Sequence, residues 1–309
     1  MSIWRFLAYI SHKERWHLFE VYVNNQPQLS KFGDGEAFKN FSDFGRPLAR
    51  WLSRKLYSLP VTVVHVTTTH LITGLLGAYL LSQEYFITAA VLLVIKGILD
   101  AVDGELARLR NRPSYVGRYY DSLADTISTA AFFAALGAVY GWSGYLVVGI
   151  ALLATLQISL SNFYAVLLRQ AHRGDGHSRI DESECPKPYP WDNPDVLRWL
   201  HFIYRWTLGW QDRLFVVIHP KSISGFNLSP TLYSLSTVLG YGFQSLVFLG
   251  LSLLASTDLV LLNYVVVNNI IAAVLFWSAY KASASVKNTA SCFSQEYITT
   301  SNKNSDVHF

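Results

Sequence analysis

Long apolar segments separated by short polar connectors run through most of the sequence. Six of these segments reach the roughly 20 residues that an α-helix needs to cross a bilayer. They are Val61–Leu81, Tyr85–Leu106, Gly117–Tyr140, Tyr145–Leu168, Thr231–Ala255 and Leu259–Tyr280. The composition agrees, because 51% of the 309 residues are hydrophobic and only 15% are charged, whereas soluble proteins average about 25% charged residues. We therefore predict an all-α integral membrane protein with six transmembrane helices.

A shorter, amphipathic pattern precedes the first predicted span, over Phe41–Leu59. Its apolar side chains recur at helical spacing and basic side chains surround them, as in helices that lie in a membrane interface. The apolar positions are Leu48, Trp51, Leu52, Leu56 and Leu59, and the basic ones are Arg46, Arg50, Arg54 and Lys55. We predict an N-terminal amphipathic interfacial helix here.

Between the fourth and fifth predicted spans lies a long segment, about residues 169–230, that begins polar and then becomes aromatic. Its second half carries too many charges to cross a membrane but enough Trp, Tyr and Phe to lie on one. We expect one or two interfacial helices in this insertion. The chain then divides into a cytoplasmic N-terminal segment (1–60), a six-helix domain (61–285) that contains the insertion, and a polar, disordered tail (286–309).

The basic residues indicate how the spans are oriented. The three short connectors, Ser82–Glu84, Gly141–Gly144 and Ser256–Asp258, contain neither Lys nor Arg. Nearly all Lys and Arg lie instead in the N-terminal region, the Arg108–Arg118 turn, the insertion and the tail. Because Lys and Arg accumulate on the cytoplasmic side of membrane proteins, we expect both termini, the insertion and the acidic residues beside that turn on the cytoplasmic side. The formal net charge of +4 then represents a basic rim that faces lipid head groups rather than a nucleic-acid surface.

Four aspartates form the most informative local pattern. Asp100 and Asp103 are three residues apart near the end of the second predicted span, and Asp121 and Asp125 are four apart near the start of the third. Each pair therefore falls on one helix face, and a turn at Pro113 would bring the two pairs together. Four carboxylates in a low dielectric repel one another. Two divalent cations would balance them, and oxygen ligands favour Mg²⁺ or Mn²⁺.

The aspartates belong to a longer pattern, D-x2-D-G-x2-A-R-x8-G-x3-D-x3-D, which resembles the signature of the CDP-alcohol phosphotransferase (CDP-alcohol phosphatidyltransferase) family. Its other fixed positions are Gly104, Ala107, Arg108 and Gly117. The resemblance implies a membrane enzyme of phospholipid biosynthesis that transfers a substituted phosphoryl group from a CDP-alcohol to an acceptor alcohol and releases CMP. It also implies a homodimer.

The resemblance further suggests roles for the motif residues. The aspartates at the positions of Asp100, Asp103 and Asp121 are metal ligands in the family, and the one at the position of Asp125 is the general base and lies near the metals. The small residues and the arginine of the motif, Gly104, Ala107, Arg108 and Gly117, are expected to line the cytidine site. Tight helix packing is the alternative explanation for the two glycines.

Lys96 lies within the second predicted span, four residues before Asp100 and seven before Asp103, on the same helix face. Two interpretations are open. Lys96 either forms a buried pair with an aspartate that helps to neutralise the site, or it contacts an anionic group of a substrate.

Three further residues are candidates for substrate contacts. Many family members have Pro-Asn-x-(Ile/Leu)-Thr in the first span, and this chain has His70 at the asparagine-like position and Thr73 at the threonine-like one. We interpret His70 as a structural or nucleotide-edge group rather than a metal ligand. Arg118 flanks the motif, and its alternatives are a lipid-facing rim and a phosphate contact.

Two short segments bear on the substrates. GRYYDSLADTIS resembles family members that use CDP-diacylglycerol and a polar acceptor, and DGELARLR resembles members that make inositol-phosphate diesters. The alternative within the family is a CDP-choline or CDP-ethanolamine donor with diacylglycerol as acceptor. Outside it, one alternative is an intramembrane prenyltransferase, but its two Asp-rich motifs lie much farther apart than the 17 residues between Asp103 and Asp121. Another is a divalent-cation transporter, which would not require Gly104, Ala107, Arg108 and Gly117 in this register.

Overall fold

The computed structural model describes residues 39–171, 182, 184–218 and 230–278, and within these ranges every regular element is helical. The predicted tail at 286–309 and most of the predicted N-terminal segment lie outside the described residues. The helices are α1 (Arg46–Leu56), α2 (Val63–Ser82), α3 (Phe86–Leu109), α4 (Tyr115–Tyr140), α5 (Gly144–Ala171), α6 (Pro194–Tyr204), α7 (Trp210–Ile218), α8 (Pro230–Thr237), α9 (Tyr241–Leu253) and α10 (Leu259–Ser278).

Shorter helical pieces connect or interrupt these elements. A 3₁₀-helix, Phe41–Asp43, precedes α1, and a π-helical stretch, Arg205–Gly209, joins α6 to α7. A second π-helical stretch, Asn263–Val267, lies inside α10. The described part of the insertion thus contains two helices, as the sequence predicts, while their interfacial position stays a prediction.

A helix lies at each of the six predicted spans, but not all six have the character of a membrane span. By length and composition, α2, α4, α5 and α10 could each cross a membrane. A bend of 58° separates α8 from α9, and the pair would make a fifth span only as a broken one. Lys96, Asp100 and Asp103 make α3 more charged than an ordinary span. Six crossings therefore stay a prediction.

The local sequence explains where the central helices begin and end. Thr62 and His65 form a reciprocal capping box at the start of α2, in which each side chain accepts a hydrogen bond from the other residue's backbone N–H. Ser114 caps α4 by accepting a hydrogen bond of 2.9 Å from the Gly117 N–H. Gly141 ends α4 in the left-handed conformation, at φ 64°, which glycine adopts without steric cost.

The largest apolar core lies at one end of the bundle. Leu81 from the end of α2, Leu93 from the first half of α3 and Leu136 from the end of α4 are buried together. Phe248 of α9 and Tyr264 of α10 join the same cluster. The motif aspartates lie at the other end of α3 and α4. Packing at the core end thus holds both helices against α2, while the opposite end is left for polar groups.

Helix α1 packs beside the acidic end of α3. Ala49 is buried against Val102 and Leu106, and the Ser53 hydroxyl donates a 3.1 Å hydrogen bond to the Val102 carbonyl oxygen. Arg110, just after α3, donates to the backbone carbonyls that link α1 to α2, at Leu56, Tyr57 and Leu59. The helix predicted from the amphipathic pattern thus forms over Arg46–Leu56. Its location in a membrane interface stays a prediction.

The first turn of α9 approaches the 3₁₀-helix so closely that Gly242 has no room for a side chain. A Cβ atom at Gly242 would lie 1.9 Å from the Ser42 carbonyl oxygen. We expect Gly242→Ala to destabilise the protein by about 1–3 kcal/mol through overpacking, which would lower the thermal unfolding midpoint in detergent by several degrees. Gly250→Ala in the same helix is the matched control, because a Cβ there meets nothing within 4 Å. Equal midpoints for the two variants would contradict the packing described here.

Candidate metal centre

Three motif aspartates and one histidine converge where α2, α3 and α4 meet. One side-chain ligand atom from each of His70, Asp100, Asp103 and Asp121 lies within 4.8 Å of the other three. Helix α2 supplies the histidine, α3 supplies two aspartates and α4 supplies one. We call these four residues the acidic cluster. Its compactness follows from the packing of α3 and α4 on α2, with the turn at Pro113 reversing the chain between α3 and α4.

The acidic cluster is closed on its α2 side and open on its α4 side. The Asp103 side chain is only 7% exposed and accepts a 2.8 Å hydrogen bond from the Thr67 hydroxyl. His70 Nε2 lies 3.1 Å from Asp121 Oδ1 and 3.8 Å from Asp103 Oδ2. The Asp121 side chain is 31% exposed, so a ligand would reach the acidic cluster past this residue.

The donor set fits a hard divalent cation. Three carboxylates confined within 4.8 Å repel one another strongly away from bulk water, and a divalent ion among them would offset that repulsion. Carboxylate oxygens are the ligands that Mg²⁺ and Mn²⁺ prefer. The predicted number of two ions stays a prediction.

His70 belongs to this acidic cluster, although its distance from the aspartates along the chain does not predict a place beside the metal ligands. The ring is fully buried, and its Nδ1 has no hydrogen-bond partner in the described part of the chain. If Nε2 bound a metal, the ring proton would sit on Nδ1 as a buried donor without an acceptor, which is rare and costly. If Nε2 carries the proton, it donates to Asp121. The surroundings therefore favour His70 as a donor that orients the Asp121 carboxylate.

Asp125 lies outside the acidic cluster and is paired with Lys96. The Lys96 ammonium donates a hydrogen bond to Asp125 Oδ1 and lies 4.0 Å from the centre of the Tyr241 ring. Lys96 is fully buried, so its charge requires these partners. Of the two interpretations, the structure shows a buried lysine–aspartate pair, with an aspartate of α4 rather than one of α3. A substrate contact by Lys96 stays a prediction.

Gly104, Ala107 and Arg108 lie on the last turns of α3. The Arg108 guanidinium folds back over Gly104, and its Nη2 would be 3.5 Å from a Cβ atom there. The same nitrogen lies 3.2 Å from Glu105 Oε1. Gly104, Ala107 and Arg108 are each half-buried, which leaves this surface accessible to a ligand. Their predicted role at a cytidine site stays a prediction.

Glu105 also joins this surface to α1. Its carboxylate forms an ion pair with Arg46 and lies 3.8 Å from Arg50 Nε. Although burial alone would lower the pKa of the Arg46 guanidinium, the Asp43 and Glu105 carboxylates raise it above its ordinary value. Arg46 is therefore a permanent cation that links α1 to the motif.

The remaining residues predicted to contact substrate make contacts with other residues of the protein. Gly117 is buried, but a Cβ there would make only ordinary contacts with Ser114 and Val63, so helix packing does not require glycine at this position. The Thr73 hydroxyl donates to the Thr69 carbonyl of its own helix at 2.8 Å. Arg118 forms an ion pair with Glu182 of the insertion. None of these contacts tests the predicted substrate roles.

The insertion fixes the start of α4. Asp192 accepts hydrogen bonds from the Ser114 hydroxyl at 2.6 Å and from the Tyr115 N–H at 3.0 Å. A carboxylate at this position also complements the helix dipole. Glu182 accepts a 2.8 Å hydrogen bond from the Tyr119 hydroxyl. The first turn of α4, immediately before Asp121, is thus tied to residues more than 60 positions away.

Sequence reasoning missed four of these groups. Thr67 could have been found, since it lies three residues before His70 on the same helix face. Tyr241, Glu182 and Asp192 carried no local signal, because each reaches the site across a long sequence separation.

The role of His70 can be tested by metal binding. If His70 acts as a donor to Asp121, His70→Gln retains a donor and should keep most of the Mn²⁺ affinity, whereas His70→Leu should lose about 10–100-fold. Mn²⁺ titration monitored by electron paramagnetic resonance measures both variants in detergent. Equal loss in the two variants would show that the imidazole itself is required and would contradict the donor role.

Comparisons with known proteins identify the region that contains this site. The sequence model described as CDP-alcohol phosphatidyltransferase matches residues 59–181, which include every motif position. The chain is 32% identical over 124 residues to the archaetidylinositol phosphate synthase of Pyrococcus horikoshii, covering 40% of this chain and 64% of that protein.

Two further relatives match over smaller shares of their length. The bifunctional IPC transferase and DIPP synthase of Thermococcus kodakarensis is 31% identical over 46% of this chain and 33% of its own length. The CDP-diacylglycerol–serine O-phosphatidyltransferase of Helicobacter pylori is 39% identical over 20% of this chain and 26% of its own length. The chain thus spans less than two thirds of each of these relatives. The chain thus contains a region, residues 59–181, that matches the CDP-alcohol phosphatidyltransferase family model.

Proposed function

We propose that this protein is a membrane-embedded transferase that moves a substituted phosphoryl group from a CDP-alcohol to an acceptor alcohol and releases CMP. The observation that carries this proposal is the convergence of Asp100, Asp103 and Asp121 within 4.8 Å inside the family domain. The match to this family model also disfavours the prenyltransferase and cation-transporter alternatives.

We assign the three cluster aspartates to holding Mg²⁺ or Mn²⁺. A divalent ion held there would neutralise the donor's diphosphate and stabilise the leaving oxygen of CMP. We assign Gly104, Ala107 and Arg108 to the cytidine end of the donor, because the half-buried surface at the end of α3 combines small residues with a guanidinium. Gly117, which is buried at the start of α4, joins this assignment through the family resemblance alone. A flat base or a phosphate can approach the backbone closely where side chains are small.

Asp125 is our candidate for the general base. Lys96 donates to its Oδ1, and the side chain is 34% exposed, so Oδ2 is the oxygen placed to accept a proton. In the proposed step the acceptor oxygen forms a bond to the distal phosphorus, and the bond from that phosphorus to the bridging oxygen breaks. The hydroxyl proton passes to Asp125, and the electron pair leaves with CMP. Lys96 acts as a positioning residue that holds this carboxylate in one orientation.

For the substrates, we propose a CDP-diacylglycerol-type lipid donor and a polar acceptor. Of the three relatives named above, the Pyrococcus protein is covered over the largest share of its length, and it is named for an inositol phosphate lipid. In addition, the segment DGELARLR resembles family members that make such diesters. We therefore place inositol phosphate first among the acceptors. Serine is second, after the name of the Helicobacter relative. The competing assignment is a CDP-choline or CDP-ethanolamine donor with diacylglycerol.

We also propose that the site and both termini face the cytoplasm and that the protein works as a homodimer. The distribution of basic residues supports the orientation. The dimer follows from the family resemblance alone.

The substrate assignment predicts a specific pattern of CMP release. Purified protein with Mg²⁺ or Mn²⁺ should release CMP from CDP-diacylglycerol or CDP-archaeol only when a polar acceptor is added, and most rapidly with inositol phosphate. Chromatographic measurement of CMP across a panel of donors and acceptors tests this assignment. Diacylglycerol-dependent CMP from CDP-choline would instead establish the competing donor, and no CMP from any pair would argue against the transferase.

Substitutions should distinguish the proposed metal-binding aspartates from Asp125, the proposed general base. Asp103→Asn should lose both Mn²⁺ binding and CMP release, because Asp103 belongs to the acidic cluster. Asp125→Asn should keep most of the Mn²⁺ affinity yet lose at least about 100-fold in CMP release, the lower range for loss of an acid–base group. Mn²⁺ titration and CMP assays on the same preparations measure both effects. Strong loss of Mn²⁺ binding in Asp125→Asn would show that Asp125 is a metal ligand instead.

A further inference from the structure

One side of α6 and α7 presents a continuous row of large apolar side chains that the protein does not cover. Along the chain they recur every three or four residues, so they follow one helix face through the π-helical junction. We call this row the aromatic face, and it consists of Trp199, Phe202, Trp206, Trp210, Leu214 and Val217. Three of these side chains are 68%, 74% and 81% exposed, namely Trp199, Trp206 and Val217. A water-exposed surface of this kind is unusual for a soluble segment.

The opposite side of the same helices is fixed to the bundle. Tyr204 packs on Tyr119 of α4, with ring centroids 4.9 Å apart. Phe215 packs on Phe163 of α5, at 5.7 Å. The Tyr204 hydroxyl donates a 2.7 Å hydrogen bond to Asp212, and burial raises the pKa of that carboxyl above its ordinary value. These contacts set the orientation of α6 and α7, so the aromatic face is directed away from the protein.

The helices on which this surface packs indicate where it lies along the bundle. Gln211 of α7 accepts a 2.7 Å hydrogen bond from Ser159, which lies within the candidate span Gly144–Leu168. From Ser159 to Leu168 is about 13 Å at 1.5 Å per residue. At the other end of the segment, α6 packs against the first turns of α4. The aromatic face therefore runs beside the last turns of one candidate span and the first turns of another, near the end of the bundle at which the acidic cluster lies.

Exposed arginines follow one edge of the aromatic face. Arg198, Arg205 and Arg213 each directly precede a member of the face, Trp199, Trp206 and Leu214, respectively. Arg198 pairs with Asp195, and the described part of the chain contains no ion pair for Arg205 or Arg213. Anionic lipid head groups would meet these guanidinium groups directly.

We propose that the aromatic face is seated in the lipid interface on the side of the membrane where the acidic cluster opens, with the arginine edge directed to anionic head groups. Trp and Tyr favour this zone because the ring is apolar and its N–H or O–H is polar. Because the other side of the segment holds the first turn of α4, this contact would anchor the helix that carries Asp121 and Asp125 to the bilayer surface. The inference does not depend on the proposed reaction.

Site-directed spin labelling tests this surface. In a Cys185→Ser, Cys292→Ser background, Trp206→Cys and Val217→Cys each provide one labelling site, and Lys187→Cys in the exposed loop before α6 is the control. The labelled full chain is reconstituted into vesicles of phosphatidylcholine and phosphatidylglycerol. Collision with O₂, which concentrates in lipid, is compared with collision with a water-soluble nickel chelate. Variants are used only if their thermal unfolding midpoints match that of the parent.

We expect the logarithm of the O₂-to-nickel collision ratio, relative to Lys187→Cys, to be positive at both test positions. A ratio equal to that of the control at both positions would place the face in water and overturn the proposal. Low collision rates with both reagents would show that the face is covered by protein, either a second copy or another segment of this chain. That result would overturn it equally. The two positions keep the test decisive if one variant fails to fold.

Discussion

Mutual repulsion among carboxylates held away from bulk water is the constraint on which the rest of this structure depends. Asp100, Asp103 and Asp121 have oxygens within 4.8 Å of one another, an arrangement that is costly without compensating positive charge or hydrogen-bond donors. The surrounding chain supplies part of the compensation. Thr67 donates to Asp103, and His70 lies beside Asp121. A divalent ion would supply the remainder, which is why we regard the acidic cluster as a metal centre.

The same constraint explains the separation of Asp125 from the acidic cluster. Its partner is the buried Lys96, which in turn lies against the Tyr241 ring. One aspartate therefore has a permanent cation from the protein, whereas Asp103 and Asp121 each have a hydrogen-bonding side chain beside them. This division gives a physical basis for assigning metal binding to the three and proton transfer to the fourth. It also makes α9, which carries Tyr241, part of the site's support.

Much of this arrangement follows from the sequence, and the rest has identifiable reasons for being missed. Apolar runs predict helices at all six positions, because a bilayer-length segment must satisfy its own backbone hydrogen bonds. The three- and four-residue spacings predict the convergence of Asp100, Asp103 and Asp121. Spacing alone could not reveal that Asp125 pairs with Lys96, because rotamers and neighbouring helices decide that contact. The hydrogen bonds that Glu182 and Asp192 make to the start of α4 depend on the path of a long insertion, which local patterns do not constrain.

The most direct test of the central claim is to locate the metal. Crystals of the full chain grown with Mn²⁺ would be measured near the manganese absorption edge. The account predicts an anomalous difference peak enclosed by the carboxylates of Asp100, Asp103 and Asp121, with Lys96 still bound to Asp125. A saturated crystal with no peak between those three carboxylates, or with its peak at other residues, would contradict it.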